Sequence, residues 1–388
     1  MVKDILYFGN DWAGEHKTSS HHIAEELARD HRVFYIESSG LRTPHLAKRD
    51  FAKIFRKAKK LFAGVHERSK GLYVYCLPQL PFHSIPFIRR INRGLAVFSL
   101  KRLIRKFGIK EHLLWFIVPQ LSFLKGRLKE KAAVYYCVED YSAFPGIDKA
   151  LVSLLDQEMS DRADIIFVTS AGLLEKKKRT DKPVVYSPHA VDFAHFNKAS
   201  LQGPIPKDIK EIKKPVIGMF GLIEERLDLE LLKSVAAMRP DWNFLLIGKV
   251  MVDVSALQGL KNVHFIGHRA YEALPDYARA FDVCLIAFRQ NERAKFINPL
   301  KLKEYLATGK PIVSTPMREM TGYSDLISIA DNPDEFCAKI ESAMKNDSAQ
   351  AQRIRIERVR QDSWQALTNR ALGEIGKVLK NKPKDPFV

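Results

Sequence analysis

The sequence has no apolar stretch approaching the roughly 20 residues that a bilayer-spanning helix needs, which excludes a helical membrane span. Cysteine is scarce. Cys76, Cys137, Cys284 and Cys337 are widely spaced and form no C-x-x-C pair. A disulfide scaffold and a thiolate zinc site are therefore excluded. Cys137 and Cys284 sit in apolar runs and read as reduced core residues of a cytosolic protein. No Asp-x-Asp stands at a strand end, and the histidines are scattered. Neither a metal site nor a cofactor is expected. Residues 4–9 are apolar but too short, and without a basic leader, to serve as a signal peptide. No short-period repeat is present.

Positive charge is abundant. Lysine and arginine number 63 against 45 acidic residues, giving a net +18. Residues 42–70 hold ten Lys/Arg against Asp50 and Glu67, and residues 89–112 hold eight against Glu111. These two segments carry +15 of the total, so the rest of the chain is nearly neutral. Both have apolar residues at helical spacing. Phe51, Ile54, Phe55, Ala58, Leu61 and Phe62 mark the first. Phe87, Ile88, Ile91, Leu95, Phe98, Leu103, Ile104 and Phe107 mark the second. Basic amphipathic helices suit an anionic membrane surface, so segments 42–70 and 87–112 are expected to meet one. No nucleic-acid partner is expected, because no recognised nucleic-acid module accompanies the charge.

At 388 residues the chain exceeds one ordinary core. Strand-like residues 4–9, a helix from Ser19 or Ser20 and strand-like residues 33–37 make a βαβ opening, which implies a parallel sheet. Further strands are expected near residues 72–77, 113–118, 133–138, 165–169 and 184–187. A second βα series starts at Val216. The fold class is α/β, with two doubly wound Rossmann-like domains. Such domains place ligands outside the carboxyl ends of their strands, here in a central cleft. The expected boundaries are an N-terminal domain over 1–197 and a Lys/Pro-rich linker over 198–214. A C-terminal domain spans 215–360, and a helical tail over 361–388 packs back on the first domain.

The most informative run is Asn298-Pro299-Leu300-Lys301-Leu302-Lys303-Glu304-Tyr305-Leu306-Ala307-Thr308-Gly309. It reads as a short helix with Asn298 as cap, Pro299 at its first position and Gly309 ending it in the left-handed region. The first turn, Pro299 to Lys301, offers free N–H groups and the positive end of the helix dipole. Lys301 lies in that turn and Glu304 one turn on, on the same face. Such a set suits a nucleoside diphosphate: N–H groups and Lys301 for phosphate, Glu304 for ribose hydroxyls. Gly221, after the strand at 216–220, permits close backbone approach. Arg226 and Lys249 are two further cations at strand ends.

This run resembles the nucleotide-binding helix of GT-B glycosyltransferases. Several motifs extend the likeness along the chain: the first βα loop, Glu139-Asp140-Tyr141, His189-Ala190-Val191-Asp192 and Phe220-Gly221-Leu222-Ile223. The chain resembles the bacterial group related to the teichuronic acid biosynthesis glycosyltransferase and, more distantly, the xanthan glucuronosyltransferase. The resemblance implies a GT-B fold and hexosyl transfer from a nucleotide sugar, with UDP as nucleotide. The acceptor it implies is a lipid-linked saccharide or a polysaccharide. It places the catalytic base at Asp140, a group needed to take the hydroxyl proton. It brings the loop of Gly9, Asp11 and Trp12 near acceptor or donor phosphate. His21 and His189 are additional candidates, and Asp192 is read as a turn cap. The enzyme is expected on the cytoplasmic, inner face of the cell membrane.

There is one departure. Retaining family-4 enzymes carry Glu-x7-Glu, whose second Glu matches Glu304, whereas the first falls on Phe296. This agrees better with inversion through Asp140. Glu292 is a nearby substitute, so retention stays open. A GT-B UDP-sugar epimerase and a sugar-nucleotide-binding protein are the rival readings.

Overall fold

A computed structural model describes residues 2–12, 17–38, 64–80, 85–144 and 146–382. The chain divides into two units, Met1–Pro188 with Leu367–Val388, and His189–Ala366. The chain passes between the units after Pro188 and again after Ala366, and residues 198–214, read from composition as a linker, lie in the second unit. That segment is fixed within the second unit. Arg279 donates to the carbonyls of Lys198, Leu201 and Pro204 at 3.0, 3.0 and 2.7 Å. Asp208 accepts from Arg269 and Tyr277. Proline and lysine mark a boundary in composition, but one arginine binding three carbonyls ties it down.

The first unit is built on an eight-stranded sheet. Its strands are β1 (Asp4–Gly9), β2 (Arg32–Glu37), β3 (Val65–Ser69), β4 (Leu72–Cys76), β5 (His112–Phe116), β6 (Ala132–Cys137), β7 (Ile165–Val168) and β8 (Val184–Tyr186). The order is β3-β4-β2-β1-β5-β6-β7-β8, parallel apart from the β3–β4 pair. β3 escapes sequence reading because Val-His-Glu-Arg-Ser is polar and largely exposed. β1, β5, β6 and β7 are buried throughout, as their near-continuous apolar runs require of a sheet covered on both faces. Tyr35, Tyr7 and Trp115 stack across three strands, with ring centroids 5.3 and 6.0 Å apart.

The second basic segment forms the helix Pro86–Lys106. Its buried residues are Asn92, Ala96, Leu100 and Leu103. Phe87, Ile91, Leu95 and Phe98 are exposed. The apolar spacing thus marks the helix correctly but only in part marks the face that packs. Residues 42–63 of the first basic segment lie outside the described residues.

The second unit carries a six-stranded sheet: β9 (Val216–Phe220), β10 (Asn243–Ile247), β11 (Val263–Gly267), β12 (Val283–Ile286), β13 (Ile312–Ser314) and β14 (Ser328–Ile329). The order is β11-β10-β9-β12-β13-β14, all parallel. Counting from β9 this is 3-2-1-4-5-6, the dinucleotide-binding arrangement, with the order reversing between β9 and β12. Alternate residues of β9 face two cores. Val216 and Phe220 pack with Phe281, Tyr305 and Leu306, and Ile217 and Met219 with Val235 and Trp242.

Candidate functional site

At the reversal point of the second sheet, several loops converge at the carboxyl ends of strands. Gly221 follows β9 with φ +116°, a backbone that L side chains avoid. Gly248 follows β10, and a Cβ there would overlap the Gly221 carbonyl oxygen. A Cβ on Gly221 would overlap the Lys301 side chain, at 2.7 Å from Nζ. The bare backbone of Gly221 thus leaves the space that Lys301 occupies, and that of Gly248 lets the Gly221 carbonyl approach.

Lys301 belongs to the helix Leu300–Thr308, which Gly309 ends at φ +76°. The N-cap is Pro299, and no side chain caps the helix. The expected Asn298 cap does not form. Asn298 instead donates through Nδ2–H to Glu319 Oε2 at 3.1 Å. The amides of the first turn are consequently left uncapped beside Lys301, with the positive end of the helix dipole.

The Phe288 ring, just past β12, sits beneath two cations. Lys301 Nζ is 5.5 Å from its centroid and the Arg226 guanidinium carbon 5.8 Å. Arg226 also pairs with Glu224 in its own loop. That loop is pinned: Arg289 N–H donates to the Arg226 carbonyl at 2.8 Å, and Asp228 caps the helix Leu229–Met238. Burial, reinforced by Arg226, brings the Lys301 pKa down to about 8, while Glu304 and Glu224 act in the opposite sense. Burial pushes Glu304 up to about 7; Lys301 pulls it down and Asp192 adds to the rise. Both groups therefore titrate near neutrality, as groups in ligand sites often do.

The structure brings Gly221, Arg226, Lys301 and Glu304 together with Pro299 and Leu300 at the helix start. Lys249 follows Gly248 with an exposed side chain, and its carbonyl accepts from Ile223 at 3.0 Å. His189 is placed differently. It is buried, against Trp364 and near Lys303, and burial first and Lys303 second hold its pKa at about 3. Lys301 and Lys303 point about 200° apart on a helix, and Lys303 pairs with Asp362 at 2.7 Å. Asp192 caps the turn Phe193–Phe196 through His195 N–H. Glu292 is exposed and pairs with Lys295 at 2.6 Å.

In the first unit the sheet reverses between β1 and β5, and the loop after β1 gathers there. Gly9 leaves room for the buried hydroxyls of Tyr35 and Ser20, which lie 3.0 Å apart. Trp12 N–H donates to Glu37 Oε1 at 2.8 Å, and its ring meets Tyr35 and His21 edge-on at 4.7 and 5.0 Å. His21 Nδ1 accepts from Thr18 N–H at 3.0 Å and closes the start of the helix Ser19–Leu27. Burial lowers its pKa, against the Asp11 backbone, which raises it. Asp140 lies past β6. Its Oδ1 accepts from Ser142 N–H at 3.1 Å and Oγ–H at 2.7 Å, and its Oδ2 pairs with Lys176 at 2.6 Å. Burial alone would raise its pKa, but Lys176 and Ser142 together hold it below the usual carboxylate range.

Sequence reasoning missed Phe288, Glu224, Gly248 and Tyr305. Tyr305 is buried and its hydroxyl accepts from Phe220 N–H at 3.0 Å, joining the end of β9 to the helix of Lys301. No periodicity announces such contacts between residues 85 positions apart.

Residues 214–346 match the family of glycosyl transferases group 1. The putative teichuronic acid biosynthesis glycosyltransferase TuaH of Bacillus subtilis is 25% identical over 284 residues, covering 68% of this chain and 71% of that protein. Two solved structures share the fold. One is trehalose-6-phosphate from E. coli bound with UDP-2-fluoro glucose, at TM-score 0.68 and 12% identity over 98% of this chain and all of that one. The other is Anabaena HepE in complex with UDP and glucose, at TM-score 0.65 and 12% identity over 97% of this chain and 100% of that one. The chain is a glycosyltransferase of the GT-B fold, and residues 214–346 form its group 1 glycosyltransferase domain.

Proposed function

We propose that this enzyme transfers a sugar from UDP to a lipid-linked or polysaccharide acceptor in cell-surface or exopolysaccharide synthesis. The observation that carries the reading is the pair of cations, Lys301 and Arg226, over Phe288 beside an uncapped helix start. The departing diphosphate gains negative charge as the glycosidic bond breaks, and fixed cations and amides stabilise that charge best in a recessed site. Lys301 and the amides of Leu300 and Lys301 hold the distal phosphate, Arg226 and Lys249 add charge, and Gly221 lets the backbone approach. Glu304 accepts hydrogen bonds from ribose hydroxyls. This cationic set takes the place of a divalent metal. UDP in the HepE complex and the name of the TuaH relative support the donor and the pathway class. The proposed working position is the inner face of the cell membrane, beside a lipid-linked acceptor.

Asp140 is proposed as the base that takes the acceptor proton, with inversion at the anomeric carbon. A second reading, transfer with retention, is favoured by the engagement of Asp140 with Lys176 and Ser142. A carboxylate so held is a weak base, and in retaining transfer the departing phosphate oxygen can take the proton instead.

Thermal-shift titration with UDP, GDP, ADP and TDP tests the donor site. Stabilisation should rise with ligand as binding linkage requires, most for UDP, and should vanish in Lys301→Ala. If no nucleotide stabilises the wild-type protein, the donor-site assignment fails.

A further inference from the structure

The helix Pro86–Lys106 carries two distinct faces, and the packed one is the less apolar. Asn92, Ala96, Leu100 and Leu103 are buried. Asn92 is spent on the chain itself, with its side chain accepting from Leu80 N–H at 2.7 Å and donating to Leu80 O at 3.0 Å. On the opposite side Phe87 is 71% exposed and Phe98 69%. Ile91 and Leu95 lie between them, also exposed. At about 100° per residue, positions 87, 91, 95 and 98 fall on one stripe less than a quarter-turn wide. Arg102 and Arg105 continue the same stripe toward the C-terminus, and Lys101 and Lys106 flank it, all four exposed. The helix contains seven Arg/Lys and no acidic residue.

We infer that this outer stripe is a docking element for an anionic lipid bilayer, with the helix lying in the interface. Three features single out lipid as the occupant. The apolar stripe ends in two exposed phenylalanines, which suit the boundary between headgroups and acyl chains. Its continuation is purely cationic, complementary to anionic headgroups, and long Arg and Lys side chains reach back to that level. No described helix is long and apolar enough to cross a membrane, so the contact is one of lying on the surface. Phe87, Ile91 and Phe98 enter the interface, and Arg102 and Arg105 bind headgroups. The inference requires neither the nucleotide site nor the identity of the sugar.

Vesicle co-sedimentation of the full chain, without nucleotide, tests it. Wild-type protein should sediment with vesicles of phosphatidylcholine plus phosphatidylglycerol, far less with phosphatidylcholine alone, and less as salt rises. Arg102→Glu with Arg105→Glu should lower partition more than tenfold, since each basic residue near such a surface contributes about fivefold. Phe87→Ser with Phe98→Ser should lower it comparably. Leu154→Ser, at another exposed apolar residue of the same unit, should leave it unchanged. Circular dichroism and melting confirm that each variant is folded; all altered residues are exposed. Binding of both double variants at the wild-type level overturns the inference. So does a sedimenting-velocity shift from dimer to monomer in Phe87→Ser with Phe98→Ser while vesicle binding persists, since the stripe would then be an interface between copies. UDP-induced stabilisation, measured separately, reports the donor site and is expected to be equal in all these variants.

Discussion

The Lys301 side chain lies across the bare backbone of Gly221, where a Cβ would stand 2.7 Å from the ammonium nitrogen. Lys301 is thereby held over the end of β9, and its charge is carried to the Phe288 ring by the shape of the backbone beneath it. The cation is positioned by a missing side chain.

Gly221→Ala should therefore damage the site in two ways. The residue sits at φ +116°, so alanine is strained, and its methyl group displaces Lys301. Strain of this kind costs about 1–3 kcal/mol. For a unit of this size that lowers Tm by about 2–4 °C per kcal/mol. UDP affinity should fall further than stability alone explains. Calorimetric titration at a temperature where the variant is folded separates the two. Wild-type affinity in the folded variant would show that Lys301 does not need this path.

Nucleotide affinity should depend on pH through two opposed titrations. Lys301 attracts phosphate only when protonated, and its pKa of about 8 means that attraction fades as pH rises through 8. Glu304 accepts from ribose hydroxyls best as the carboxylate. Its pKa of about 7 means that capacity fades as pH falls through 7. UDP affinity should peak between the two values and fall on both sides. Lys301→Arg should remove the alkaline limb, because guanidinium stays charged. Glu304→Gln should remove the acid limb. A flat profile between about pH 6 and pH 9, where normal Lys and Glu would not titrate, would separate these residues from the ligand.

Much of this architecture is legible in the residues themselves, for physical reasons that also mark where legibility stops. Ile5–Phe8 and Val33–Ile36 are buried apolar runs joined by a capped helix, and they form the parallel pair that such runs predict. Gly309 ends its helix at φ +76°, where glycine alone is unstrained. The absence of an Asn298 cap was not legible, because the partner its side chain finds, Glu319, is 21 residues away. The 198–214 segment reads as a linker until Arg279 binds its carbonyls. Periodicity shows that 86–106 is a helix, but it cannot say that Phe87 and Phe98 face out while Asn92 faces in. At the site, Lys301 and Glu304 follow from helical spacing. Phe288 does not, because a ring beneath two cations requires three loops to meet.

Tyr305→Phe should show how the helix of Lys301 is anchored. The hydroxyl accepts from Phe220 N–H at 3.0 Å in a fully buried setting. Deleting it leaves a buried N–H without its acceptor, at a cost of about 1–3 kcal/mol. The ring packing against Phe220, at 4.8 Å edge to face, is kept. Melting should show that loss, and UDP affinity should fall only as far as the end of β9 moves. An unchanged Tm would mean that water or another group replaces the hydroxyl.

Asp140 and Lys176 supply the test of how the acceptor proton is removed. If Asp140 is the base, Asp140→Asn should lower turnover by about 10²–10⁴-fold while leaving UDP binding intact, since the donor residues belong to the other unit. Its pKa is pushed up by burial and pulled down further by Lys176 and Ser142. Lys176→Met removes one of the lowering contacts, so the folded pKa rises. The acid limb of the kcat/KM profile should then move to higher pH, because activity is lost once the carboxylate takes up a proton. A Lys176→Met profile identical to wild type, together with wild-type turnover in Asp140→Asn, would remove the base assignment. Transfer with retention would then be favoured, and the anomeric configuration of the product, read by proton NMR, would decide it.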